Sequence, residues 1–272
     1  MFCVRQFQVV HRRTLSSISS APITDFIHKP DFRPRRIILL RHGQSVGNAD
    51  ESAYVTTADW RIPLTNLGKD QAIEAGRRLR EKIGKDEKVV FYHSPYLRTT
   101  QTLDQLLPYF SDEEILSCLE EPRICEQQIG NFQNVQQILD AKKERSKFGR
   151  FFYRFPSGEA GLDVYNRVSS FIPTLVRDLD RYRRSGIDMD KMNVVIVTHG
   201  LALRLFLMRW FQWSVQCFEE SQNPDNCELV TMNKRKDNEG HAWMEMEDTN
   251  RISLCLSDEC AVPRNVHLHR RK

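Results

Sequence analysis

The chain has 272 residues, 40% hydrophobic and 28% charged, with a formal net charge of +4 at neutral pH. These ordinary globular values exclude a fibrous repeat or a wholly disordered chain, and no apolar run approaches the roughly 20 residues of a membrane-spanning helix. Lys and Arg are interleaved with Asp and Glu, so neither nucleic acid nor a membrane is expected as a partner.

The seven cysteines are irregularly spaced, without a CxxC pair. They read as small core-filling thiols, Cys125 among them, in a reducing compartment rather than as a disulfide framework or a zinc site. The first 24 residues hold no acid and combine Arg5, Arg12 and Arg13 with Phe2, Val4, Phe7, Val9 and Val10 and a serine cluster from Ser16 to Ser20. Such an Arg- and Ser-rich opening predicts a mitochondrial transit peptide within an extension over residues 1–33; the alternative is a basic tail without an address on a cytoplasmic protein.

After the proline-rich "HKPDFRPRR", one folded domain is expected over residues 34–250. "IILL" from Ile37 is short, apolar throughout and β-branched at its start, which suits a central parallel strand covered on both faces. Ala72, Ala75, Leu79 and Ile83 then recur at helical spacing behind Thr65, a candidate N-cap. Val89 to Tyr92 reads as a second strand, with a turn at His93 to Pro95 and a helix starting near Leu97. Residues 120–161 form a longer insert containing "FGRFFYRFPSGEAG", an aromatic lid or a second small core. Val194 to Val197 is a third strand, broken at Thr198 to Gly200 before an apolar helix; "CELVTMNK" offers a further strand, and residues 251–272 read as a surface tail or loosely docked edge. Strand, polar break and helix thus recur three times. This grammar predicts an α/β fold of three layers, α/β/α, with a mostly parallel central sheet and functional groups at the carboxyl ends of its strands.

Arg41, His42, Arg98 and His199 all fall at or just past those ends. Arginine cannot ligate a metal, so no metal is expected there. Guanidinium forks match phosphoryl oxygens, and a neutral imidazole can attack phosphorus. A phosphoryl site explains both residue types.

The segments "LLRHGQSVGN", "PLTNLGKDQA", "SPYLRTTQT" and "IVTHG" together resemble the histidine phosphatase superfamily, the phosphoglycerate mutase-like proteins with the RHG signature. The likeness runs from about Arg36 to Phe218. It implies that His42 is a nucleophile forming phosphohistidine, that Arg41, Arg98 and His199 hold the phosphoryl oxygens with Asn48 and Gly200 as further donors, and that Glu126 of "CEQQIGNF" is the proton donor and acceptor. No cofactor is implied. The insert looks like that of broad-specificity phosphatases and of a plant and protist mutase-like group, except that Ala160 stands where serine is usual, removing a hydroxyl suited to capping the next helix. "AYVTTADWRIPLT" offers Tyr54, Thr56, Thr57 and Trp60 as substrate contacts. Arg150 and Arg154 either bind a second anionic group or pair with Glu159 or Asp163. The expected function is a metal-independent phosphomonoester hydrolase acting on a small phosphorylated substrate, the alternatives being a mutase-type phosphotransferase and a non-catalytic phosphate-binding module.

Overall fold

A computed structural model describes residues 31–257 and Cys260. The transit-peptide expectation falls on residues outside this range. Six strands, β1 (Arg36–Arg41), β2 (Lys88–His93), β3 (Ile115–Glu120), β4 (Met192–Thr198), β5 (Leu229–Lys236) and β6 (Ala242–Met246), form one sheet in the order β3-β2-β4-β1-β5-β6. The pairs β1·β4, β2·β4 and β2·β3 are parallel, while β5 runs antiparallel to both β1 and β6. "CELVTMNK" therefore does supply a strand, and the sheet is mostly parallel.

The helices are α1 (Val46–Ala49), α2 (Ala53–Thr56), α3 (Asn66–Lys82), α4 (Leu97–Leu106), α5 (Val135–Phe148), α6 (Gly161–Arg184), α7 (Gly200–Phe211), α8 (Val215–Glu220) and α9 (Asp248–Ser253). Successive strand residues point to opposite faces, and the sheet separates two cores accordingly. Ile37, Leu39, Val194 and Ile196 meet Val164, Val168 and Phe171 of α6 and Leu203 and Phe206 of α7. Ile38, Leu40, Val195 and Val197 meet Ala72, Ala75 and Leu79 of α3 and Leu103 of α4. Helices on both faces explain why the central strands are apolar at every position rather than alternating. Thr65 caps α3, its hydroxyl accepting from Gly68 N–H at 3.0 Å.

The insert builds a small core of its own, the second of the two expectations for it. Tyr153 and Phe155 pack with Ala141 of α5, Ile129 and Phe132, and Phe151 joins the larger core; Phe148 and Phe152 stay exposed. Ala160 starts α6 without a side-chain cap. Asp163 meets part of that deficit by accepting from Ala160 N–H at 2.7 Å.

Two expectations are corrected. Cys217 and Cys260 form a disulfide, so the cysteines are not all thiols: two residues 43 apart in sequence meet because the chain folds back, which spacing could not show. The boundary expected at residue 250 falls inside α9, and Leu254 is fully buried in the larger core. Leu254, Leu256 and the disulfide dock a segment whose pattern carries no period.

Candidate active site

The β1·β4 register pairs Arg41 with Thr198, and His42 N–H donates to the Thr198 carbonyl at 3.0 Å. The ladder thus runs to its last rung and sets His42 and His199 side by side, with ring centroids 5.1 Å apart. On the other side of β4, His93 pairs with Val197, bringing Ser94 against His199: the hydroxyl and Nε2 are 2.9 Å apart. Both imidazoles are almost completely buried.

His42 has its tautomer fixed by geometry. Nδ1 lies 2.7 Å from the Gly43 carbonyl, which can only accept, so Nδ1 carries the proton and Nε2 keeps its lone pair. Arg98 Nε donates to that lone pair at 3.3 Å. Burial, then the neighbouring Arg98 guanidinium, push His42 well below the ordinary histidine range; the same two causes do so for His199. Both rings are neutral at neutral pH.

Arg98 is placed by α4 and held on three sides. Nη1 donates to both the backbone carbonyl and Oδ1 of Asp59 at 2.8 Å, and the guanidinium lies over the Tyr96 ring at 4.8 Å. Arg41 Nη1 donates to the Pro224 carbonyl at 2.8 Å. Its Nε and His199 Nδ1 are buried without a hydrogen-bond partner among the described residues. An unmet buried guanidinium N–H is costly unless an anion meets it, and His199 Nδ1 is a second such donor in the tautomer in which Nε2 accepts from Ser94.

Glu126 arrives from the insert. Thr198 Oγ1 donates to the Ile124 carbonyl at 2.6 Å, and Arg167 of α6 donates to the carbonyls of Arg123, Cys125 and Glu126 at 2.7–2.9 Å while pairing with Glu159. This clamp holds Glu126 Oε2 3.4 Å from Leu201 N–H, at the N-terminus of α7, where the helix dipole favours a carboxylate. Gly200 begins that helix; a Cβ there would lie 2.6 Å from Asn223.

The remaining candidates divide by location. Tyr54, Thr56, Thr57, Asp59, Trp60 and Tyr96 line a cleft of about 490 Å³ whose far wall is Gln128 to Gln133 and Ser157. Burial pushes the Tyr54 phenol up to about 12, and its ring packs on Gly47 of α1. Asn48 turns inward on its own helix, Oδ1 accepting from Ser45 N–H at 3.1 Å while its N–H donates to Ser45 Oγ; its amide NH2 is what remains for a ligand. Arg154 pairs with Asp163. Arg150 has no carboxylate within ion-pair distance among the described residues: its Nη1 donates to the Ser221 carbonyl at 3.2 Å, and buried Arg204 of α7 donates to the same carbonyl at 2.9 Å.

Sequence reasoning passed over Asp59, Ser94, Arg167, Arg204 and the segment 221–226. Ser94 and Asp59 sat inside stretches already singled out. Segment 221–226 offers mainly backbone carbonyls and two asparagines, Asn223 on Arg204 and Asn226 on the His42 carbonyl, and carries no motif.

The structure thus brings two neutral buried histidines and two arginines together at the ends of parallel strands, residue types suited to phosphoryl oxygens. The family model for the histidine phosphatase superfamily (branch 1) matches residues 37–246, and the chain belongs to that superfamily. It is 46% identical over 214 residues to a phosphoglycerate mutase-like protein of Arabidopsis thaliana, covering 76% of each chain. A broad-range acid phosphatase of Saccharomyces cerevisiae is 31% identical over 289 residues, covering 74% of this chain and 85% of that one. The fold matches a mycobacterial glucosyl-3-phosphoglycerate phosphatase with a TM-score of 0.59 at 20% identity, covering 78% of this chain and 98% of the other.

Proposed function

We propose that the chain is a metal-independent phosphomonoester hydrolase working through phosphohistidine at His42 Nε2. The observation that carries this reading is the locked His42 tautomer: an Nε2 lone pair facing Arg98 Nε, with Arg41 Nε and His199 Nδ1 buried without hydrogen-bond partners among the described residues. As substrate enters, a phosphoryl oxygen takes the place of the His42 lone pair as acceptor for Arg98 Nε, the guanidinium staying where Asp59 and Tyr96 hold it. Ser94 O–H donates to His199 Nε2, leaving the Nδ1 proton for another oxygen. The Nε2 lone pair forms the N–P bond in line as the P–O bond to the leaving group breaks, and protonated Glu126 gives its proton to the departing oxygen. Water then attacks phosphorus, its proton returns to Glu126, the N–P bond breaks with its electron pair returning to Nε2, and phosphate leaves. Preorganised arginines meet the charge on the equatorial oxygens; the Gly43 carbonyl steadies the Nδ1 proton while the ring carries the phosphoryl group.

Hydrolysis is favoured over mutase transfer by the cleft, whose side chains are mainly neutral and polar, with Trp60 half exposed at its edge. Water reaches such a site, whereas a mutase must keep it from the phosphoenzyme. The kinship to a broad-range acid phosphatase supports the same reading. Arg150, with no ion-pair partner among the described residues, adds a candidate contact for a second anionic group on the substrate.

The test is phosphate release from an aryl phosphate and a panel of sugar phosphates and phosphoglycerates in excess chelator. Release is expected, with inhibition by vanadate and loss of all turnover in His42→Ala. Isomerisation of a phosphoglycerate with a bisphosphate primer, without phosphate release, would instead establish the mutase. Phosphate binding without either reaction would establish a binding module.

A further inference from the structure

Arg98 and Asp59 form an ion pair at 2.8 Å, and their side chains are only 3% and 24% exposed. We propose that Asp59 is a resident anion of the phosphoryl pocket, a positioning residue that holds Arg98 in place and whose charge sets the pH range in which the pocket accepts a phosphate dianion. The inference rests on Arg98 serving the phosphoryl site proposed above.

The geometry leaves Arg98 little freedom. Two contacts from Asp59 fix Nη1, the Tyr96 ring covers one face, and Nε points at His42. Asp59 reaches this position because the 3₁₀ turn Asp59–Arg61 lies between α2 and α3, and its side chain sits where the cleft meets the catalytic centre. A buried guanidinium needs a counter-charge until a ligand arrives, and Asp59 supplies it.

That counter-charge has a consequence for the ligand. With both histidines neutral, Arg98 meets the incoming ligand with one carboxylate already on it, at 2.8 Å. A phosphate dianion therefore enters against the charge of Asp59 on the arginine it needs. Protonating Asp59 removes that repulsion and leaves the Arg98 charge to the ligand. The groups facing Asp59 are Arg98 from α4, Glu126 from the insert, Tyr54 from α2 and Tyr96 before α4, with Arg61 of its own turn stacked on Trp60 at 4.5 Å. Burial raises both phenols, so neither ionises in the working range. Burial raises the Asp59 carboxyl, Arg98 pulls it back, and Glu126 adds a further upward push. Asp59 thus takes up its proton above the ordinary aspartate range, and the pocket's demand for phosphate grows as pH falls.

The experiment compares the full-length wild type with Asp59→Asn and Asp59→Ala, using 4-nitrophenyl phosphate between about pH 7.5 and 5, alongside calorimetric titration with inorganic phosphate. Asparagine keeps an oxygen for Arg98 and removes the charge. Expected for Asp59→Asn are a KM and a phosphate Kd roughly tenfold lower at about pH 7.5, from loss of one like-charge interaction at short range, with kcat within about threefold. The wild-type rise in kcat/KM toward acid should flatten in the variant. The substrate's own ionisation near pH 6 affects both proteins equally, so the difference between their profiles reads Asp59. Asp59→Ala should share the tighter binding and lose kcat, because Arg98 is no longer held.

Unchanged or weaker binding in Asp59→Asn, with the wild-type profile retained, would overturn the proposal and leave Asp59 a packing residue. So would a kcat collapse much larger for alkyl than for aryl phosphates, since that identifies a proton donor. If the wild type hydrolyses nothing, the hydrolase reading fails, yet the phosphate titration still decides Asp59 by itself.

Discussion

The two ring nitrogens of His42 face different groups, the Gly43 carbonyl and Arg98 Nε, and neither contact was visible before folding. The RHG stretch marks the residue, but the direction of its lone pair follows from the Gly43 carbonyl beside Nδ1. Arg41, Arg98 and His199 were legible for the same reason: each follows or flanks a strong apolar run. Glu126 was legible only through family likeness, since an isolated loop carboxylate has no periodicity, and its placement depends on the Arg167 clamp 41 residues away. Glu126→Gln tests its proposed role. The amide keeps the shape and an acceptor for Leu201 N–H but cannot give a proton, so turnover of an alkyl phosphate should fall about 100- to 10,000-fold. An aryl phosphate, with a leaving group that needs little protonation, should lose much less. Equal losses for both, measured as kcat, would move the acid role to another residue.

The elements that position the site were readable where they bury apolar faces. β1, β2 and β4, α3 and α7 all announced themselves by runs or by 3.6-residue spacing. What periodicity missed is the close approach of turns. Gly43 and Gly68 lie back to back: a Cβ on Gly43 would sit 2.3 Å from the Gly68 carbonyl oxygen, and one on Gly68 would sit 2.0 Å from the Gln44 carbonyl oxygen. The N-terminus of α3 is therefore seated directly on the loop that carries His42, with Thr65 N–H donating to the Gln44 carbonyl at 2.9 Å. Gly68→Ala sets two effects against each other. Helix propensity gains about 1 kcal/mol, but overpacking against backbone, which cannot rotate away, costs roughly 1–3 kcal/mol or more. A contact of 2.0 Å puts the clash at the upper end, so the clash wins. A lower denaturant midpoint with an unchanged m-value is expected, and kcat should fall with it because the displaced Gln44 lies two residues from His42, the proposed nucleophile. A variant as stable as the wild type would mean that α3 can slide away from the loop without cost.

For the molecule as a whole, the buried site couples function to acid stability. His42 and His199 are neutral in the fold and held well below the ordinary histidine range by burial. In the unfolded chain both would titrate near 6.5. Above that pH neither state binds these protons and the pair contributes no slope. As pH falls below about 6.5 the unfolded chain takes up protons that the native state refuses, so stability declines. Asp59 acts in the opposite sense, because its raised folded pKa lets the native state bind a proton first, which softens the decline. Asp163 is lowered by Ala160 N–H and Arg154, and its contribution is lost only as pH falls below about 4. The histidine window is therefore separable from ordinary acid unfolding. The melting temperature should show no contribution from the pair between about pH 8 and 7, then fall between about 6.5 and 5. His199→Gln, which keeps a hydrogen-bonding partner for Ser94 and removes one of the two titrations, should have a shallower slope in that interval and the wild-type slope below about 4. If both slopes match the wild type, His199 takes up its proton without unfolding. Ligand and fold are linked in the same way, so added inorganic phosphate should raise the melting temperature of Asp59→Asn more than that of the wild type at the same pH, because the variant binds it without the opposing carboxylate charge.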